Sequence, residues 1–158
     1  NALAPTRVKQ LLQSTIFGLP SYDGPHEWFG HALASGDFDA DGGSDLAIGI
    51  PLENAGGSGR GGVTVLTKFN VAGNYSRYRF LSIGFSGIPP GVQNASNAGL
   101  SLGLGDFDDD GYDDLVIGMP YWNGAAAQDT GRCTVLYGAL FADGFDGGST
   151  FEWSLTNP

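Results

Sequence analysis

The sequence holds one cysteine, Cys133, among 158 residues, so no internal disulfide can brace the fold. Positive charge is scarce as well. Seven Lys and Arg stand against 17 Asp and Glu, a formal net charge of −10. Phosphate neutralisation needs clustered cations, which argues against a nucleic-acid partner. No run is long and apolar enough to span a membrane. No signal peptide is visible, and Asn1 in place of Met fits a processed mature protein or a fragment. A long helical period is also missing. No Ser or Cys nucleophile motif accompanies His26 or His31, so no catalytic constellation is expected.

What the chain does have is glycine, 27 residues, and a 41% hydrophobic composition. That combination suits short strands joined by tight turns. Its acids are local. Ten of the 17 fall in two short stretches, Asp37, Asp39, Asp41 and Asp45, then Asp106, Asp108, Asp109, Asp110, Asp113 and Asp114. A solvated acidic run has no reason to recur with fixed spacing.

The recurrence belongs to an internal repeat. With the chain shifted by 69 residues, Gly36-Asp37-Phe38-Asp39 falls on Gly105-Asp106-Phe107-Asp108. Asp41-Gly42 falls on Asp110-Gly111, Asp45-Leu46 on Asp114-Leu115, and Ile48-Gly49 on Ile117-Gly118. Pro51 then meets Pro120. Past the next Gly-rich loop the offset becomes 70, and Val63-Thr64-Val65-Leu66 meets Cys133-Thr134-Val135-Leu136.

Alternation of large and small residues predicts strands at Phe29–Ser35, Asp45–Ile50, Val63–Phe69 and Arg77–Ile83. The second unit is expected at Ala98–Leu104, Asp114–Met119, Cys133–Tyr137 and Thr150–Leu155. Pro51 and Pro120 suit strand ends. Arg7–Ile16 aligns with the region of the outer strand and is expected to be one. A repeat of four strands and this length is a propeller blade, so the fold class is all-β with four-stranded antiparallel blades. The expected division is residues 1–28 as the outer strand of a preceding blade plus connector, 29–97 as one blade and 98–158 as a second. Two blades cannot close a ring, so the chain is expected to be part of a longer propeller or one subunit of a multi-chain assembly.

Both acidic stretches read Asp-x-Asp-x-Asp-Gly-x-x-Asp. Asp37, Asp39, Asp41 and Asp45 take positions 1, 3, 5 and 9 of the first, and Asp106, Asp108, Asp110 and Asp114 those of the second. Alternate residues of a tight loop can turn carboxylates to one point, and Gly42 and Gly111 permit the turn. The backbone carbonyls of Gly43 and Tyr112 can add an oxygen each. Hard oxygens without Cys or His select Ca²⁺, one ion per loop. An EF-hand would need Glu at position 12, where Ile48 and Ile117 stand. Asp23, Asp109 and Asp113 lie outside the pattern and are expected to be solvated. Cys133 aligns with Val63 and is expected to be a small core residue. Trp28, Trp122, Trp153 and Tyr121 are expected to pack rather than to bind sugar. Asn74-Tyr75-Ser76 and Asn94-Ala95-Ser96 match a glycosylation acceptor, a triplet that recurs by chance.

These units resemble the FG-GAP repeat of integrin α-subunit head domains. Phe29-Gly30 matches its Phe-Gly signature, Gly49-Ile50-Pro51 and Gly118-Met119-Pro120 its Gly-Ala-Pro, and the acidic loops its Ca²⁺ loops. The second unit has Ala98-Gly99 where the signature has Phe-Gly. The resemblance implies a β-propeller in a secreted or cell-surface protein, used for adhesion, scaffolding or support of an attached enzyme domain. The expected function is a non-catalytic, Ca²⁺-stabilised extracellular module for binding, adhesion or scaffolding. Its expected partners are other blades or chains and possible carbohydrate or protein ligands. The alternatives are an accessory part of a secreted hydrolase or lyase, and a filament or surface-layer subunit.

Overall fold

A computed structural model describes residues 10–13, 16, 26–54, 59–69, 74–83, 87–88, 96–124 and 128–138. These form two sheets and no α-helix. The first sheet runs β1 (Leu33–Gly36), β2 (Asp45–Ile50), β3 (Gly62–Thr67), β4 (Arg77–Ile83) and β5 (Gly87–Ile88), side by side in that order. The second holds β6 (Ser101–Gly105), β7 (Asp114–Met119) and β8 (Arg132–Leu136), also in order. All pairings are antiparallel except β4 with β5. The expected strand Thr150–Leu155 lies outside the described residues.

The strands follow from β-branched and aromatic residues in alternation, which favour a pleated, packed surface. Register then sorts side chains between faces. In the first sheet Ala47, Val63, Val65, Leu81 and Ile83 point toward the second sheet and meet Leu115, Ile117, Met119 and Leu136 there, all buried. On the opposite face Ile48, Ile50, Leu66 and Phe80 form a second core, capped by Leu11 and Ile16. Burying each such aliphatic side chain is worth about 1.5–3 kcal/mol. The capping segment is tied down by Gln13, whose Nε2 donates to Glu27 Oε2 (2.6 Å) and Glu53 Oε2 (2.8 Å). Glu27 and Glu53 are both buried. Within the expected strand Arg7–Ile16, residues 10–13 and 16 pair with no strand, and the Ile16 N–H donates to the Gln13 carbonyl (3.1 Å) in a turn.

Glycines let the blades approach closely. A Cβ on Gly49 would collide with the Gly99 carbonyl oxygen, and one on Gly99 would stand 2.5 Å from the Gly62 carbonyl oxygen. Beside this contact Ala98 bridges to Gly61 and is fully buried, with no room for the Phe of the repeat signature.

Matched positions differ in burial because, among the described residues, only the first sheet has a neighbour on that side. Phe38, Ala47, Val63 and Val65 are covered by the second sheet. Their repeat partners Phe107, Val116, Cys133 and Val135 lie on its far face, exposed or half-exposed. Cys133 is therefore exposed, not a core residue as its alternation suggested. Trp122 does pack against the core, and the Arg132 guanidinium sits 4.7 Å over its ring. Trp28 and Tyr121 are about half exposed, and Trp28 stacks on His31 at 5.4 Å. Trp153 lies outside the described residues.

Candidate metal centres

Each acidic stretch joins the first strand of its sheet to the second, residues 37–44 from β1 to β2 and 106–113 from β6 to β7. The closing aspartate opens the second strand and is buried, Asp45 at 1% exposure and Asp114 at 0%. A buried carboxylate needs donors. Asp45 Oδ2 accepts from the Phe38 N–H (2.9 Å) and Oδ1 from the Lys68 N–H (2.8 Å). Asp114 repeats this with Phe107 and Gly138, both at 2.7 Å. Each carboxylate thus pins its loop to the residues that follow the third strand.

The leading aspartates curl the loops. Asp37 accepts from the N–H groups of Asp41 (3.1 Å) and Gly42 (2.9 Å), and Asp106 from those of Asp110 (3.1 Å) and Gly111 (3.0 Å). Asp41 Oδ1 takes the Gly43 N–H (2.7 Å), and Asp110 Oδ1 the Tyr112 N–H (2.8 Å). Gly42 and Gly111 hold φ of +77° and +87°, where a side chain would be strained.

The curl gathers carboxylates. Oxygens of Asp37, Asp39 and Asp41 lie within 4.8 Å of one another, as do those of Asp106, Asp108 and Asp114. Oxygens bound to one Ca²⁺ sit about 2.3–2.6 Å from it, hence no more than about 5 Å apart. Both sets fit one hard divalent ion. Asp45 stands outside the mutually close set of the first loop and Asp110 outside that of the second. Gly43 and Tyr112 use their N–H groups, which donate to Asp41 and Asp110.

Crowding shows in the acidities. Desolvation and the Asp41 charge push Asp39 up, and desolvation pushes Asp45 up to about 6 despite its two donors. Asp108 is raised by desolvation and then by Asp110 and Asp114. Asp41 moves the other way. Desolvation raises it, but the Lys68 ammonium, 3.1 Å from Asp41 Oδ2, and the Gly43 N–H together outweigh that.

Two residues at the site escaped sequence reasoning. Lys68 carried no signal, because a lysine after a strand is ordinary. Asp113 was expected to be solvated, yet its Oδ2 accepts the Asp37 N–H (2.9 Å) while its own N–H donates to the Asp37 carbonyl (3.3 Å). The loops of the two blades therefore touch.

The FG-GAP repeat model matches residues 29–66 and 98–136, one stretch in each sheet. Integrin alpha-PS2 of Drosophila melanogaster is 33% identical over 113 residues, covering 69% of this chain and 7% of the relative. Integrin alpha-5 of Xenopus laevis is 33% identical over 119 residues, 73% of the chain and 10% of the relative. Integrin alpha pat-2 of Caenorhabditis briggsae is 30% identical over 109 residues, 69% and 8%. The chain spans a tenth or less of the length of these relatives. FG-GAP repeats are β-propeller units, and the two sheets do not close a ring. With one match in each of two like-built sheets, this chain is an FG-GAP repeat protein.

Proposed function

We propose that the chain is a Ca²⁺-stabilised pair of propeller blades from an extracellular or cell-surface protein, serving binding, adhesion or scaffolding without catalysis. Residues 29–97 and 98–158 make the two blades, and residues 1–28 lead in from a preceding one. Asp37, Asp39, Asp41, Asp45 and the Gly43 carbonyl hold one ion. Asp106, Asp108, Asp110, Asp114 and the Tyr112 carbonyl hold the other. Similarity to integrin α chains supports the adhesion class and the extracellular setting.

The observation that carries this reading is the gathering of three carboxylates in each loop, Asp37, Asp39 and Asp41 in the first and Asp106, Asp108 and the buried closing Asp114 in the second. Without an ion those charges repel. With one, the loop becomes a cross-link between the first and second strands, and binding free energy adds to folding stability. At a hundredfold excess of Ca²⁺ over its dissociation constant, each loop would add about 2.7 kcal/mol. Such sites suit a millimolar calcium supply outside cells. Calorimetric titration of the chelator-stripped chain should show two equivalents of Ca²⁺ taken up, with a higher melting temperature. A chain that takes up no Ca²⁺ and melts identically in EDTA would refute the proposal.

A further inference from the structure

The two loops share their aspartates but not their surroundings, and the difference lies at one aligned pair, Lys68 and Gly138. Both follow the third strand of their sheet, and both donate a backbone N–H to the closing aspartate, at 2.8 and 2.7 Å. Only Lys68 has a side chain. Its Nζ stands 3.1 Å from Asp41 Oδ2. Its stem runs over Gly43, where a Cβ would come 3.1 Å from Lys68 Cγ. The second loop reverses the sizes. Tyr112 replaces Gly43, and a Cβ on Gly138 would stand 2.6 Å from Tyr112 Cβ. The space filled by the lysine stem in one blade is thus filled by the tyrosine in the other.

Lysine is placed here at a conformational cost. Lys68 has φ of +52°, in the left-handed region that disfavours side chains. A residue chosen only for its N–H would be glycine.

Resting on the calcium reading above, we infer that Lys68 is a resident cation of the first loop, so that the two loops take up calcium unequally. The ammonium neutralises Asp41 while no metal is bound and must swing aside when an ion binds. The Asp106–Asp114 loop has no ammonium from the aligned position and fills at lower Ca²⁺. The Asp37–Asp45 loop fills later and is held together meanwhile by its lysine. Lys68 is a positioning residue that sets affinity and is not a ligand.

Titration calorimetry with Ca²⁺ on the full chain tests this. Asp106→Asn with Asp108→Asn leaves only the first loop, and Asp37→Asn with Asp39→Asn leaves only the second. The second loop alone should bind more tightly. Lys68→Met keeps the stem and removes the charge. It should tighten the first loop roughly fivefold, the scale of one screened charge against a divalent ion a few ångströms away, and leave the second unchanged. It should also lower the melting temperature of the metal-free chain. If a loop-silenced protein fails to fold, Lys68→Met in the otherwise intact chain should still draw the two binding steps together. Calcium uptake indifferent to Lys68→Met, or equal affinity of the two loops, overturns this inference alone. Absence of uptake by any variant overturns it together with the calcium reading.

Discussion

Desolvation at the start of β2 pushes the Asp45 carboxyl up to about 6 from an ordinary 3.8, against the pull of its two N–H donors. In the metal-free chain the folded state then holds this proton more tightly than the unfolded state. The associated stability is complete below about 3.8 and is lost as pH rises through about 6. Asp39 and Asp108, also raised, act with the same sign, and Asp41, lowered by Lys68, opposes them. Urea melts in EDTA should therefore show stability falling between pH 4 and 6.5, a slope that Asp45→Asn reduces. Asn offers a donor where Asp45 accepts one of its two N–H groups, so the variant should also be less stable overall, by about 1–3 kcal/mol. A pH-independent midpoint in EDTA would show that Asp45 is not desolvated as described.

Between elements, the blade contact has a polar clasp at the loops and a tight glycine seam. Asp113→Ala removes the acceptor of the Asp37 N–H and should cost about 1–2 kcal/mol by thermal denaturation. It should weaken Ca²⁺ uptake at the first loop more than at the second, because Asp37 leads the first. Gly99→Ala should cost more, about 2 kcal/mol or above, since its Cβ would meet the Gly62 carbonyl at 2.5 Å and the φ of +84° disfavours it. An Ala variant melting like the parent would mean the seam is looser than drawn. The strands were largely legible. β2, β4 and β7 coincide with the alternating runs Asp45–Ile50, Arg77–Ile83 and Asp114–Met119. β1 starts at Leu33, later than Phe29, because positive φ at Trp28 and Gly30 turns the chain first. β6 likewise starts at Ser101, not Ala98, after Gly99 at +84°. The parallel β5 pairing rests on two residues and left no periodic trace. The aspartate pattern was plain because its spacing is local. Lys68 and Asp113 act across 27 and 76 residues of sequence, on Asp41 and Asp37, which a linear reading does not bring together.

For the whole molecule, the repeat fixes which faces are left to be covered. Phe107 is 58% exposed where its counterpart Phe38 is fully buried, and Cys133 is exposed where Val63 is buried. Cys133 should react with a thiol reagent in the folded chain at nearly the rate of a free thiol, and lose that reactivity once another blade covers the far face. Slow labelling of the isolated chain would show that face already occupied. The stacking itself has a direction. Leu115, Ile117 and Met119 of the second sheet fit against Phe38, Ala47, Val63 and Val65 of the first, so the contact joins unlike faces of the two blades. Unlike surfaces of this kind join head to tail, not about a two-fold axis. Any assembly grown through them must either curve round until its ends meet or continue as an open spiral, with every unit pointing the same way.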